Sequence, residues 1–286
     1  IASCLVGSEM CIRDRNSAPA QMNIPRDMWT QVIDVDLPQV VRFERPAGGE
    51  GAVAEAARLL SEAKFPAILS GAGVVLSGAI PDLVTLAERL DAPVASNYQH
   101  NDSFPGSHPL AVGPLGYNGS KAAMELIRQA DVVLALGTRL NPFSTLPGYG
   151  IDYWPKEAKI IQVDINADRI GLTKKVTVGI QGDAGKVARA ILAQLSDTAG
   201  EDGRTERKAL IAQTKSRWAQ ELSSLDHEDD DPGTEWNAEA RQRDSDLMSP
   251  RQAWRAIMQA VPSDAIVSSD IGNNCAIGNA YPSFEA

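Results

Sequence analysis

Three stretches of this chain carry residues whose types could do chemistry beside a sheet. The first is Ser70-Gly71-Ala72-Gly73-Val74-Val75-Leu76-Ser77-Gly78, between an apolar run and a helical one. Glycines placed there let a backbone approach a phosphate at a helix N-terminus. The spacing is G-x-G-x4-G, whereas the dinucleotide fingerprint is G-x-G-x-x-G. The acid expected about 20 positions on, at the end of the second strand, is missing, and Asp91 precedes that strand instead. Tight NAD or FAD binding is therefore not expected. Gly71 and Gly73 read equally well as a tight strand-to-helix turn. The second stretch pairs Gly137-Thr138-Arg139 with Asp164-Ile165-Asn166, each following an apolar run. A guanidinium at Arg139 could grip a phosphate bidentately, and Asp164 could accept from ribose hydroxyls. A salt bridge for Arg139 and a helix cap for Asp164 are equally open. The third is Ser269-Asp270-Ile271-Gly272-Asn273-Asn274-Cys275, a polar loop after the apolar run 265–267. Loops at the C-terminal ends of parallel strands are where open α/β sheets bind ligands.

Other chemistry finds little support. His100 and His108 sit in a long loop, and His227 opens an acidic run that reads as a solvated charge patch. No set of His, Cys or carboxylates has metal-ligand spacing. There is no G-x-S-x-G elbow and no G-x4-G-K-[ST] loop. Cys4, Cys11 and Cys275 are too few and scattered for a disulfide framework, and Cys275 reads as a small buried hydrophobe. No residue is assigned as catalytic or as a metal ligand.

The elements that must position these residues follow from periodicity. Strands are expected at 22–25, 66–70, 93–96, 132–136, 160–164, 176–178 and 265–267. Helices are expected at 51–63, 80–90, 122–129, 184–195, 205–225 and 251–260. The helix at 205–225 should bury Leu210, Ile211, Trp218, Leu222 and Leu225, and residues 97–119 read as one Gly/Pro-rich loop. Strands alternating with helices imply an α/β fold, a doubly wound parallel sheet covered on both faces.

Of the 286 residues, 27 are Lys or Arg and 37 are Asp or Glu, giving a net charge of −10 that argues against nucleic acid and anionic membranes. No apolar run approaches a membrane span. A cytoplasmic setting is expected. Residues 1–15 match nothing that follows and read as a non-native, adapter-like head.

Taken together, several segments resemble the thiamine-diphosphate enzymes of the acetohydroxyacid synthase and pyruvate oxidase type. They are Pro19-Ala20-Gln21-Met22-Asn23-Ile24-Pro25-Arg26-Asp27, Phe104-Pro105-Gly106-Ser107-His108-Pro109-Leu110, Gly137-Thr138-Arg139, Val163-Asp164-Ile165-Asn166 and Ser269-Asp270-Ile271-Gly272. The resemblance implies the end of a pyrimidine-binding domain and a linker over 16–47. It implies a central α/β domain over 48–196, a linker with a helix over 197–248, and the truncated start of a pyrophosphate-binding α/β domain over 249–286. It thus implies a fragment of a larger enzyme, inactive alone. Within the family, Asn101-Asp102-Ser103-Phe104-Pro105-Gly106-Ser107-His108, residues 141–150 and residues 270–279 are similar to the acetyltransferases that act on sulfoacetaldehyde. That similarity implies thiamine diphosphate and Mg²⁺ as cofactors, sulfoacetaldehyde and phosphate as substrates, acetyl phosphate and sulfite as products, and a homo-oligomer. Asp270, Gly272, Asn273 and Asn274 would lie on the diphosphate or substrate side. Gly71, Gly73, Arg139 and Asp164 would form a nucleotide-type site. The segment after Arg139 lacks the Asp-Asp-Arg of FAD-binding members, so FAD is not expected. An acetolactate synthase-like carboligase and a non-catalytic nucleotide-binding module stand as alternatives.

Overall fold

The computed structural model describes residues 25–32, 34, 36, 44–227, 248, 250–262, 264–270 and 272–285. Six strands form one sheet: β1 (Pro66–Ser70), β2 (Val94–Ser96), β3 (Ala111–Pro114), β4 (Val132–Leu136), β5 (Lys159–Asp164) and β6 (Val178–Gln181). Their order is β3-β2-β1-β4-β5-β6, and every neighbouring pair is parallel. This is the doubly wound arrangement, with the chain reversing direction across the sheet between β1 and β4. β1 and β4 are buried along their whole length, which is why both read as unbroken apolar runs rather than alternating ones.

Helices α1 (Glu50–Glu62), α2 (Ala72–Leu76), α3 (Ile80–Leu90), α4 (Lys121–Ile127), α5 (Ala184–Leu192) and α6 (Arg204–His227) supply the two covering layers. In one layer α5 packs against α1 and α3, and in the other α4 packs against α6. Leu83, Leu86, Ala87 and Leu90 are the buried stripe of α3, at the helical spacing the sequence shows. Asp183 caps α5, its carboxylate accepting from the Lys186 N–H at 3.2 Å.

The structure corrects four readings. The loop expected over 97–119 contains β3, an edge strand whose Gly113 has φ +87 and whose last residue is Pro114. Neither residue signals a strand, yet an edge tolerates both because one side of the ladder is free. Residues 265–267 do not join the sheet. They have no regular secondary structure, and Ile266 is 97% exposed. The face that α6 buries is set by Arg207, Ile211, Thr214 and Trp218, whereas Leu210 is 36% exposed. The strand expected at 176–178 begins only at Val178. Residues 22–24 lie outside the described residues, and Arg26–Thr30 forms a 3-10 turn.

Toward the C-terminus, α7 (Pro250–Ala260) and α8 (Asn273–Gly278) pack on each other. Gly278 permits that contact, since a Cβ there would lie 2.5 Å from the Trp254 ring.

Candidate functional site

The turns after β1, β2, β4, β5 and β6 surround one cavity of about 790 Å³ at the C-terminal edge of the sheet. It lies at the point where the strand order reverses, the place this topology reserves for ligands. Gly73, Arg139, Asp164 and Gly272 all line it. Gly71 stands behind the wall, and Asp270 is exposed elsewhere. The side chains of Asn273 and Asn274 lie outside the description.

The two glycines of the first turn serve contact between backbones. The N–H of Gly71 donates to Leu136 O at 3.1 Å, and that of Gly73 to Gly137 O at 2.9 Å. A Cβ on Gly73 would fall 2.6 Å from the Gly137 Cα, and one on Gly137 would fall 2.7 Å from the Gly73 Cα. The β1 and β4 turns are thus pressed together, and both N–H groups are engaged within the protein. These donors do not cradle a phosphate.

That contact holds the turn bearing Arg139. Gly137 (φ +63) and Leu140 (φ +52) reverse the chain on either side of it. The Leu140 N–H donates to Thr138 Oγ1 at 3.2 Å, and Thr138 O accepts from Gln162 at 3.2 Å. The exposed Arg139 guanidinium projects from this fixed turn and lines the cavity. Asp164, 9% exposed, ends β5, and its Oδ1 accepts from the Asn166 N–H at 2.8 Å. It closes an Asx turn, while Asn166 caps the 3-10 turn Ala167–Arg169. Burial pushes the Asp164 carboxyl up, against the Asn166 N–H and the charges of Arg169 and Arg139.

Two kinds of side chain line the cavity. Arg45, Arg139 and Arg169 are its cations, with Arg45 Nη1 paired to Asp183 at 3.2 Å. Tyr98, Tyr117 and Phe143 are its rings, and the Tyr98 and Phe143 rings are 6.1 Å apart. Gly116 allows the Phe143 backbone in, since a Cβ there would lie 2.2 Å from its carbonyl. Cys275 also lines the cavity, half-buried, with its sulfur 3.6 Å from Tyr98 Oη. The expected buried hydrophobe is thus a wall residue. Burial, then the contact with Cys275, pushes the Tyr98 hydroxyl up to about 12, so it is a neutral donor at physiological pH.

The thiamine pyrophosphate enzyme central-domain family model matches residues 53–191, which contain the whole sheet and, of the three cavity arginines, Arg139 and Arg169. These residues belong to that family. The chain is 76% identical over 271 residues to a protein named probable sulfoacetaldehyde acetyltransferase from Rhizobium meliloti (strain 1021), an alignment covering 95% of this chain and 46% of the relative. It is 75% identical over 271 residues to a sulfoacetaldehyde acetyltransferase of Roseovarius nubinhibens, covering 95% and 45%. A protein named probable acetolactate synthase large subunit from Methanocaldococcus jannaschii is 36% identical over 184 residues, covering 62% and 31%. The chain spans about half the length of the curated relatives it matches at highest identity.

The family name implies thiamine diphosphate, a group that carries its own carbanion chemistry. Among the described residues no group of three or more His, Cys, Asp and Glu could hold a metal. Of the segment after residue 271, Gly272, Cys275 and Ala276 line the cavity.

The family resemblance did not point to Arg45, Asn97, Tyr98, Arg169 or Asp183 as cavity residues. One signal could have found four of them. Asn97 and Tyr98 follow β2, Arg169 follows β5 and Asp183 follows β6, so each sits just beyond a strand's C-terminal end.

Proposed function

We propose that this chain is the central-domain portion of a thiamine-diphosphate-dependent acetyltransferase. The longer protein would convert sulfoacetaldehyde and phosphate to acetyl phosphate and sulfite, in sulfonate degradation. The observation that carries the reading is 76% identity across nearly all of this chain to a relative so named, against 36% over a shorter stretch for an acetolactate synthase. Mg²⁺ as counter-ion of the diphosphate, a cytoplasmic setting and a homo-oligomer belong to the same reading. No described helix is long and apolar enough to cross a membrane.

The part played by these residues is to hold and orient. The sheet edge presents fixed cations at Arg139 and Arg169 and a planar-ring surface at Tyr98, Tyr117 and Phe143. That combination suits an anionic ligand that also carries a ring. A nucleotide-type ligand is the second reading, favoured by Asp164 at the C-terminal end of β5, within the electrostatic reach of both Arg139 and Arg169. Asp91 makes no contribution to it, being at the opposite end of β2 and paired with Arg204 and Lys208.

The test is turnover by a protein extended to the length of the relatives, supplied with sulfoacetaldehyde, phosphate, thiamine diphosphate and Mg²⁺. Acetyl phosphate and sulfite in equal amounts are expected, with pyruvate giving no acetolactate. Acetolactate from pyruvate, without sulfite release from sulfoacetaldehyde, would overturn the reading in favour of the carboligase. The 286-residue chain alone is expected to be inactive.

A further inference from the structure

We propose that the loop from Tyr98 to Ser107 is a seat that positions segment 272–285, with Asn101, Gly106 and Ser107 as its positioning residues. By holding that segment the seat fixes one wall of the main cavity. This deepens the acetyltransferase reading, because the wall takes part in catalysis only if that reading holds.

The seat is rigidly built into the sheet edge. The Asn97 N–H donates to Ser70 O at 2.7 Å, and Ser70 Oγ donates to Ser103 O at 3.2 Å. Ser96 Oγ donates to Asn101 Oδ1 at 3.2 Å, which orients the Asn101 amide. Phe104, 3% exposed, packs edge-on against His108, with ring centroids 5.0 Å apart.

The segment is held by side-chain and backbone contacts from three residues of the loop. Asn101 Nδ2 donates both its hydrogens, to Asn279 O and to Pro282 O, each at 3.0 Å. A carboxylate of the same shape has no hydrogen to give and would oppose both carbonyls. The Gly106 N–H donates to Phe284 O at 2.9 Å. Ser283 lies where a side chain at 106 would be, since a Cβ there would come 1.9 Å from its Oγ. Ser107 grips the Glu285 carboxylate through its N–H at 3.0 Å and its hydroxyl at 2.6 Å.

What the seat positions is the cavity wall. Gly272, Cys275 and Ala276 of the seated segment line the cavity together with the sheet turns. The Cys275 sulfur rests against seat residues, 3.4 Å from Gln99 Nε2 and 3.6 Å from Tyr98 Oη. Loosening the seat should therefore open the wall at Cys275 before it disturbs the sheet.

The experiment follows the rate at which a maleimide modifies Cys275 in the 286-residue chain, by peptide mass mapping. Cys4 and Cys11 fall on a separate tryptic peptide and serve as internal references. Asn101→Asp removes both donated hydrogen bonds at nearly constant volume. It should speed Cys275 labelling about tenfold or more, because two native bonds no longer hold the wall. Gly106→Ala should do the same. Ser107→Ala should give a smaller increase, and Ser107→Thr, which keeps the hydroxyl, should return toward the parent rate. The unfolding midpoint of the sheet should stay with the parent. Labelling within about twofold of the parent for both Asn101→Asp and Gly106→Ala overturns the proposal. Should either variant lose cooperative unfolding, Glu285→Ala at an exposed position decides: faster labelling supports the seat and an unchanged rate refutes it. Turnover does not enter this readout. A responsive Cys275 with no acetyl transfer by the longer protein would keep the seat and discard the acetyltransferase reading.

Discussion

Replacing Arg207 by Met should be among the most damaging single changes available outside the cavity. Arg207 is 2% exposed and lies at the start of α6. Its guanidinium meets five backbone carbonyls: Asp91 O at 3.0 Å, Leu90 O at 3.0 Å, Lys64 O at 2.8 Å, Asp202 O at 2.8 Å and Gly200 O at 2.5 Å. The Leu90 carbonyl belongs to the last turn of α3, where a helix cannot satisfy its own acceptors. Each bond from a charged donor contributes about 1.5–3 kcal/mol net, so five would sum to roughly 7–15 kcal/mol. Burial opposes this. It pulls the guanidinium below its ordinary range, against the nearby Asp91 carboxylate, and desolvation offsets several kcal/mol of the gain. Methionine preserves the stem's packing, so the expected loss is the remainder, about 3–5 kcal/mol. At roughly 2–4 °C per kcal/mol for a domain of this size, the melting temperature should fall by about 6–20 °C. Thermal unfolding by circular dichroism measures it. Limited proteolysis gives a second readout. Arg207 and Arg89 hold the carbonyls of Ser196, Asp197, Ala199, Gly200 and Asp202, so the polar stretch 197–204 should resist cleavage in the parent and yield in Arg207→Met. A loss of under about 3 °C, with 197–204 still resistant, would refute the reasoning.

Three further substitutions are informative, two at the cavity and one as a control outside it. Gly137→Ala places a Cβ at φ +63 against the Gly73 backbone and should cost about 3 kcal/mol or more. Gly78→Ala, at φ +64 with nothing within 4 Å of the added carbon, should cost only the backbone strain of about 1–2 kcal/mol. Urea midpoints that match for the two would show that the close approach of the β1 and β4 turns contributes nothing. Asp164→Asn keeps the acceptor for the Asn166 N–H and removes a buried charge. Burial raises the Asp164 pKa. The group's contribution to stability is therefore full below its unfolded pKa and is lost as pH rises through the folded one. The Asn variant should be more stable than the parent at about pH 7 and should lose that advantage near pH 3. An advantage that is the same at both pH values would contradict the burial argument.

The class of fold and most of the central strands are legible in the residue pattern alone. Pro66–Ser70, Val132–Leu136 and Lys159–Asp164 are apolar enough, and long enough, to be read as strands buried on both faces, and amphipathic helices lie between them. It also marked Arg139 and Asp164, because residues just past a parallel strand face the ligand edge whatever the details of packing. Local pattern could not deliver β3, whose glycine and proline are tolerated only because it lies at the edge of the sheet. It could not show that Gly71 and Gly73 answer to Gly137, since that contact joins two turns more than sixty residues apart in sequence. Nor could it foresee Arg207, a charge that burial permits only because chain ends from α1, α3 and the 197–204 stretch converge on it. The seat on Asn101, Gly106 and Ser107 belongs to the same kind. The phrase was visible as a motif, but its partner lies some 180 residues downstream. Periodicity reports which face of an element is apolar. Which distant backbone meets it is decided only when the sheet orders its strands and the turns are brought side by side.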